Sequence, residues 1–353
     1  MKRYLVTIAM LMLMTNFSSS QAQTQALRDL ADAHHLLMGS AVAIPPLRSE
    51  PLYANTLARE YNGVTPENVM KWDATEPQQG VFNFTDGDFL VDFAQSHDMR
   101  VRGHTLVWHQ QLPSWLNSGT FTPAQLTDIL HNHITNVVSH YRGRVYAWDV
   151  VNEAIDDNRG DLRKTIWLNG IGADYIADAF RWAHEADPDA LLFYNDYGAE
   201  GANQKADAVY KLVSGLVSQG VPINGVGMQM HVGIGVPPNA AAVAANIARI
   251  NALGLQVQIT EMDVKLQDGS GDETARLQAQ AQVYHDMLTV CLQATNCTGF
   301  VTWGFTDKYS WIPSFTHHDD AALPFDVNYQ PKPAYAALQQ AFIEHPPAAT
   351  PSP

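Results

Sequence analysis

The chain has 353 residues and a formal net charge of −15, from 21 Lys and Arg against 36 Asp and Glu. That acidity argues against nucleic acid or an anionic membrane surface as a partner and suits a neutral ligand. Charged residues make up only 16% and aromatic residues 10%, which fits a packed globular domain and excludes a disordered chain.

The first segment reads as an export signal. Lys2 and Arg3 precede the apolar run 5–14, and Ser20-Gln21-Ala22 places small residues where a signal peptidase cuts. Residues 1–22 are therefore expected to be removed near Ala22, leaving a secreted or periplasmic chain of net charge −17. No other stretch is apolar enough to span a bilayer.

From there on, apolar strand-like runs alternate with helical stretches. Strands are predicted at 36–43, 62–64, 100–106, 145–151, 191–194, 226–230, 255–260 and 299–303. Helices are predicted at 51–60, 89–97, 123–141, 175–186, 204–219, 240–253, 274–291 and 334–343. This is the rhythm of an α/β chain folded as a single-domain (β/α)8 TIM barrel over 23–344, followed by a Pro- and Ala-rich tail at 345–353. A doubly wound open sheet is the runner-up, but no Gly-rich phosphate loop follows an early strand. Cys291 and Cys297, six residues apart in an exported chain, read as a small disulfide loop before the last strand. No other Cys and no clustered His complete a ligand set, so neither a metal nor a cofactor is expected. His317-His318-Asp319-Asp320 reads as a solvated loop at the rim.

Two stretches carry the most information. Trp148-Asp149-Val150-Val151-Asn152-Glu153 and Val257-Gln258-Ile259-Thr260-Glu261 are apolar, β-branched runs that stop on a glutamate. Carboxylates are poor strand residues, so each Glu is expected at the mouth of a sheet. A pair of carboxylates is the minimal equipment for cleaving a glycosidic bond. Other strand ends are also polar or aromatic: Glu67, Asn68 and Lys71, then His104 and Trp108, then Asn195, then Gln229 and His231, then Asp263, then Trp303. In a barrel these ends converge on the C-terminal face, where active sites sit.

Longer motifs share the same order. They are Thr65-Pro66-Glu67-Asn68-Val69-Met70-Lys71-Trp72-Asp73, Arg102-Gly103-His104-Thr105-Leu106-Val107-Trp108-His109 and Gln111-Leu112-Pro113-Ser114-Trp115. The two glutamate segments follow, then Thr302-Trp303-Gly304-Phe305-Thr306-Asp307-Lys308-Tyr309-Ser310-Trp311 and Pro331-Lys332-Pro333-Ala334-Tyr335. Together they resemble family 10 of the glycoside hydrolases, the endo-β-1,4-xylanases, over almost the whole chain after the signal.

The resemblance implies a retaining double displacement on xylan or xylo-oligosaccharides, with Glu153 as general acid/base and Glu261 as nucleophile. A retaining pair stands about 5–5.5 Å apart, and two carboxylates that close do not both ionise easily. The resemblance further implies that Asn152 holds the 2-hydroxyl of the sugar being cleaved. His231 and Asp263 would orient the nucleophile, and Gln229 would sit near the acid/base. Glu67, Asn68 and Lys71 would grip the next xylose. His104, Trp108 and Gln111 would contact hydroxyls on the non-reducing side, and Trp303 and Trp311 would wall the sugar site. Asn195 and Tyr197 are placed on the leaving-group side. His109, Trp72, Trp148, Trp167 and Trp182 are assigned to packing, and Trp115 is left open. A monomer is expected. The alternatives are a barrel glycosidase acting on another β-1,4-glycan such as cellulose, a non-catalytic sugar-binding barrel, and a structural exported domain.

Overall fold

A computed structural model describes residues 25–347, so the expected signal segment and the end of the tail lie outside the described residues. Nine strands form one sheet: β1 Leu37–Val42, β2 Gly63–Pro66, β3 Arg100–Val107, β4 Ala147–Asn152, β5 Leu191–Asp196, β6 Gly225–Met228, β7 His231–Gly233, β8 Gln256–Lys265 and β9 Cys297–Thr302. The order is β6-β5-β4-β3-β2-β1-β9-β8-β7, and a direct β6–β8 pairing closes the circle. All these pairings are parallel. With β7 a short continuation above β6, the sheet is the expected eight-staved barrel. The open-sheet alternative is excluded by the closure.

The strands are buried on both faces because helices cover the outside and side chains fill the inside. The predicted helices form with their ends moved by a few residues. The helix Pro123–His140 shows why its start was legible: Pro stands at its first position and Thr122 with Gln125 makes a reciprocal capping box. Short helices at Ile44–Ser49, Trp72–Thr75, Ser114–Asn117, Ile166–Gly170 and Ile312–Thr316 were not predicted, since four to six residues carry too little periodicity. The Cys291–Cys297 disulfide is present, with a Cα–Cα distance of 5.2 Å. It ties the last turn of the helix Glu273–Gln293 to the first residue of β9.

Two departures from regular strand geometry set the site. First, Glu261 does not end its strand. β8 runs on to Lys265 because its upper half pairs with β7, in the register His231↔Asp263, Val232↔Val264 and Gly233↔Lys265. Second, registers slip just below both glutamates. Between β8 and β9, Ile259 faces Phe300 but Met262 faces Thr302, so β8 carries one extra residue around Glu261. Between β4 and β5, Asp149 faces Phe193 but Val151 faces Tyr194. Such bulges re-aim side chains beside active sites.

Beneath the site the barrel is filled by a polar network. Arg102 binds Asp149 through Nη2 at 2.5 Å and Nε at 3.2 Å, and its Nη1 donates to Gln258 Oε1 at 2.7 Å. His104 Nδ1 lies 3.0 Å from Asp149 Oδ2, which fixes its ring at the base of the cleft. Burial alone would raise the Asp149 carboxyl, but Arg102 and His104 hold it below the usual range.

Candidate active site

The C-terminal mouth of the barrel holds a cleft of about 530 Å³. Glu153 and Glu261 both line it, and they have different company. Glu153 follows β4 directly, with φ at +57°. Its Oε2 accepts from Trp108 Nε1 at 2.8 Å, and its Oε1 accepts from Gln229 Nε2 at 3.1 Å and Asn152 Nδ2 at 3.3 Å. All three donors are neutral. Of Glu153, Arg163 reaches only the backbone, its Nε donating to the carbonyl at 3.0 Å.

Glu261 instead faces a cation. Its Oε2 lies 3.2 Å from His231 Nε2, and His231 Nδ1 lies 2.8 Å from Asp263 Oδ2. Trp311 Nε1 donates to that same Asp263 oxygen at 2.8 Å. Burial works against charging His231, but Asp263 and Glu261 overcome it and raise the imidazole to about 10. Burial likewise works against ionising Glu261, yet His231 holds its carboxyl below the usual range. An imidazolium between two carboxylates therefore keeps Glu261 as an anion at neutral pH.

The two glutamates share a bridge. Asn195 Nδ2 donates to Glu261 Oε1 at 2.7 Å and to Asn152 Oδ1 at 2.9 Å. The Asn152 oxygen also accepts from Gln229 Nε2 at 3.2 Å. Turning the Asn152 amide round would set its nitrogen against the Asn195 and Gln229 N–H groups, so the oxygen belongs on that side.

A second polar group lies along the cleft. Lys71 Nζ donates to Gln111 Oε1 at 2.7 Å and to Asn68 Oδ1 at 3.1 Å, and stands 5.1 Å from the centre of the Trp108 ring. Its partners are thus amides and an aromatic face rather than Glu67. Burial lowers the Lys71 ammonium while Glu261 and Glu67 oppose it, and burial raises Glu67. Trp303 and Trp311 stand around His231, at ring-centre distances of 6.2 and 5.1 Å and both edge-on. The cleft thus joins two carboxylates of different character to a wall of indoles and a fringe of amide and ammonium donors.

The family model for "Glycosyl hydrolase family 10" matches residues 26–341, nearly the whole described chain. This chain belongs to glycosyl hydrolase family 10. As a family 10 hydrolase it is similar to endo-1,4-beta-xylanase B of Thermotoga neapolitana, with 43% identity over 95% of this chain and 96% of that one. Its fold is similar to the native xylanase 10B of Thermotoga maritima, with TM-score 0.87 and 44% identity over 90% of this chain and 98% of that one. The xylanase 10B of Thermotoga petrophila, solved in complex with xylobiose, gives TM-score 0.87 and 43% identity over 90% and 97%.

In this family 10 chain the structure brings nearly all the expected site residues together. Glu67, Asn68, Lys71, His104, Trp108, Gln111, Asn152, Glu153, Gln229, His231, Glu261, Asp263, Trp303 and Trp311 all line the one cleft. Asn195 does not. It was expected on the leaving-group side, but it is fully buried and outside the lining. Thr260 Oγ1 donates to Asn195 Oδ1 at 2.7 Å while Glu261 takes the Asn195 N–H, so both ends of the amide are used inside the protein. Tyr197 does line the cleft, and its hydroxyl donates to Asp157 Oδ2 at 2.7 Å.

Trp72, Trp148 and Trp167 are buried, with Trp72 stacked at 3.6 Å on His133 and 4.9 Å on Trp167. Trp182 packs on His131. Trp115 donates to the Glu76 carbonyl at 3.1 Å and belongs with the packing residues. In the 317–320 loop, Asp320 accepts from Leu266 N at 3.0 Å, which ties the loop to the chain just past β8. Sequence reasoning missed Gln110, Lys265, Ile312 and Phe315 on the cleft wall. Phe315 could have been found, since it follows Trp311 by four residues and the two rings meet at 4.8 Å. Lys265 could not, because it depends on the unforeseen extension of β8.

Proposed function

We propose that this family 10 hydrolase is an endo-acting xylanase that cleaves β-1,4-xylosidic bonds with retention. The observation that carries the reading is the unequal company of the two glutamates. Glu261, held as an anion by His231, attacks the anomeric carbon. Glu153, whose partners are neutral donors, gives its proton to the departing glycosidic oxygen. The C–O bond breaks and a glycosyl ester forms on Glu261. Glu153, now a carboxylate, takes a proton from water, and the resulting hydroxide displaces Glu261 from the same face the leaving group left.

Asn152 and Asn195 form a connected amide pair between the carboxylates. That placement suits Asn152 to hold the 2-hydroxyl of the reacting sugar, a contact that strengthens as the oxocarbenium character grows. The indoles offer flat apolar area to the C–H faces of pyranose rings. The names of the relatives favour xylan over cellulose as the polymer.

The test is the release of reducing ends from xylan and from a soluble cellulose derivative, with the first product anomer read by proton NMR. Fast release from xylan with an initial β-anomer is the expected result. Preferential release from the cellulose derivative would replace the substrate assignment, and an initial α-anomer would replace the mechanism.

A further inference from the structure

The barrel wall is broken at one place beside both glutamates, and a buried carboxylate fills the break. Strand β6 ends at Met228 and β7 begins at His231. Between them Met230 takes φ of +66° with its side chain fully buried. The left-handed region is sterically unfavourable for such a residue, so the kink persists only where its surroundings hold it.

Glu200 supplies that hold. Its Oε1 accepts from Met230 N at 3.0 Å and from Gly198 N at 3.1 Å. Glu200 is buried, and its own backbone is pinned from the helix Ala240–Asn251, where Asn246 Nδ2 donates to the Ala199 carbonyl at 2.8 Å and the Glu200 carbonyl at 3.0 Å. A buried carboxylate that no Lys or Arg pairs with, among the described residues, is costly unless backbone donors satisfy it. Here they do. The residues on either side of Met230 each serve one glutamate: Gln229 reaches Glu153 at 3.1 Å and His231 reaches Glu261 at 3.2 Å.

We propose that Glu200 is a positioning residue for the reaction. By accepting the Met230 N–H it fixes the kink that delivers Gln229 to the acid/base and His231 to the nucleophile, so one anchored peptide sets both carboxylates. Glu200 lies outside the cleft lining and acts only through these neighbours. The inference rests on the reading of Glu153 and Glu261 given above.

Both N–H groups go to one oxygen, so what the kink needs is an acceptor at that reach. Charge and reach are separated by two variants. Glu200→Gln keeps the reach and loses the charge. Glu200→Asp keeps the charge and withdraws the acceptor by one methylene. Each is assayed on a xylo-oligosaccharide, with kcat expressed per active site counted by the burst from a 2-fluoro glycoside that traps the glycosyl-enzyme. Glu200→Gln is expected within about threefold of wild type, and Glu200→Asp at least about tenfold lower in kcat with KM little changed, since a misplacement near 1 Å costs on the order of 100-fold. A Glu200→Asp chain equal to wild type per counted site overturns the inference, because it makes Glu200 merely structural. So does a Glu200→Gln chain at least about tenfold below wild type in kcat per counted site, an arm read against wild type alone and so decisive even if Glu200→Asp does not fold. A wild-type chain inactive on xylan sinks the underlying reading along with this one, whereas the first two outcomes sink this one alone.

Discussion

Asn195 and Glu261 meet inside the barrel wall, 2.7 Å apart, through a hydrogen bond whose donor is fully buried and whose acceptor is the proposed nucleophile. The same nitrogen reaches Asn152, so one amide fixes the nucleophile relative to the residue beside the acid/base. A hydrogen bond to a charged group contributes roughly 1.5–3 kcal/mol. Asn195→Ala should lower kcat by about 10- to 100-fold, with a smaller change in KM. Steady-state kinetics on xylo-oligosaccharides check this, and an unchanged kcat would return Asn195 to a packing role.

Glu153→Ala should separate the two halves of the reaction. Without the acid, natural substrates slow by about 10²- to 10⁴-fold, while an aryl glycoside with a good leaving group is affected less in its first step. Azide, which needs no general base, should then restore turnover and yield a β-glycosyl azide. In Glu261→Ala the same anion would give the α-azide instead. Product stereochemistry by NMR distinguishes the two, and a β-azide from the Glu261 variant would reverse the assigned roles.

The pairing of His231 with Asp263 and Glu261 predicts how stability depends on pH. The imidazole stands at about 10 in the fold against its ordinary value of 6.5. The folded state therefore binds the extra proton, and the stabilisation is complete below about pH 6.5 and gone once pH passes about 10. Between these limits the unfolding free energy should fall by roughly 1 kcal/mol per pH unit from this group. Urea titrations of wild type and His231→Gln from pH 6 to 10 should show the slope in the first and its loss in the second. Equal slopes would mean that His231 is neutral in the fold.

Arg102 and Asp149, each about 1% exposed, form the charged floor of the site. Arg102→Met would leave Asp149 buried with only His104 and cost about 3–5 kcal/mol. The midpoint of urea unfolding measures it. A loss below about 1 kcal/mol would mean that solvent reaches the barrel floor and screens the carboxylate.

Much of this was legible in the residues. The alternation of apolar runs with helical stretches was enough for a barrel, because strand and helix periods are local properties. The helices at 51–60 and 175–186 were placed to the residue, each with clear boundary or amphipathic signals. Glu153 stood out as a carboxylate where a strand should have continued. Other features left no local trace. Nothing in Val257–Lys265 announces a bulge, since one extra residue on a strand shows only against its neighbour. Nothing local marks Asn195 as buried with both ends of its amide bonded inside the protein, and neither Glu200 nor Met230 breaks a sequence pattern.

The sequence by itself determined which chemical groups this chain carries and that they stand where barrel strands leave the core. It determined the pair of glutamates, the indoles and the disulfide. Only the tertiary structure decided which oxygen each donor meets. That choice depends on the slipped registers of β4 and β8, the left-handed residues Glu153 and Met230, and the closure of β6 on β8. Hydrogen bonds act over about 3 Å, and the residues they join here are up to 156 positions apart in the chain. Glu153 and Glu261 are both strand glutamates in the sequence. What separates the two, and what the proposed division of roles rests on, is that His231 faces only Glu261.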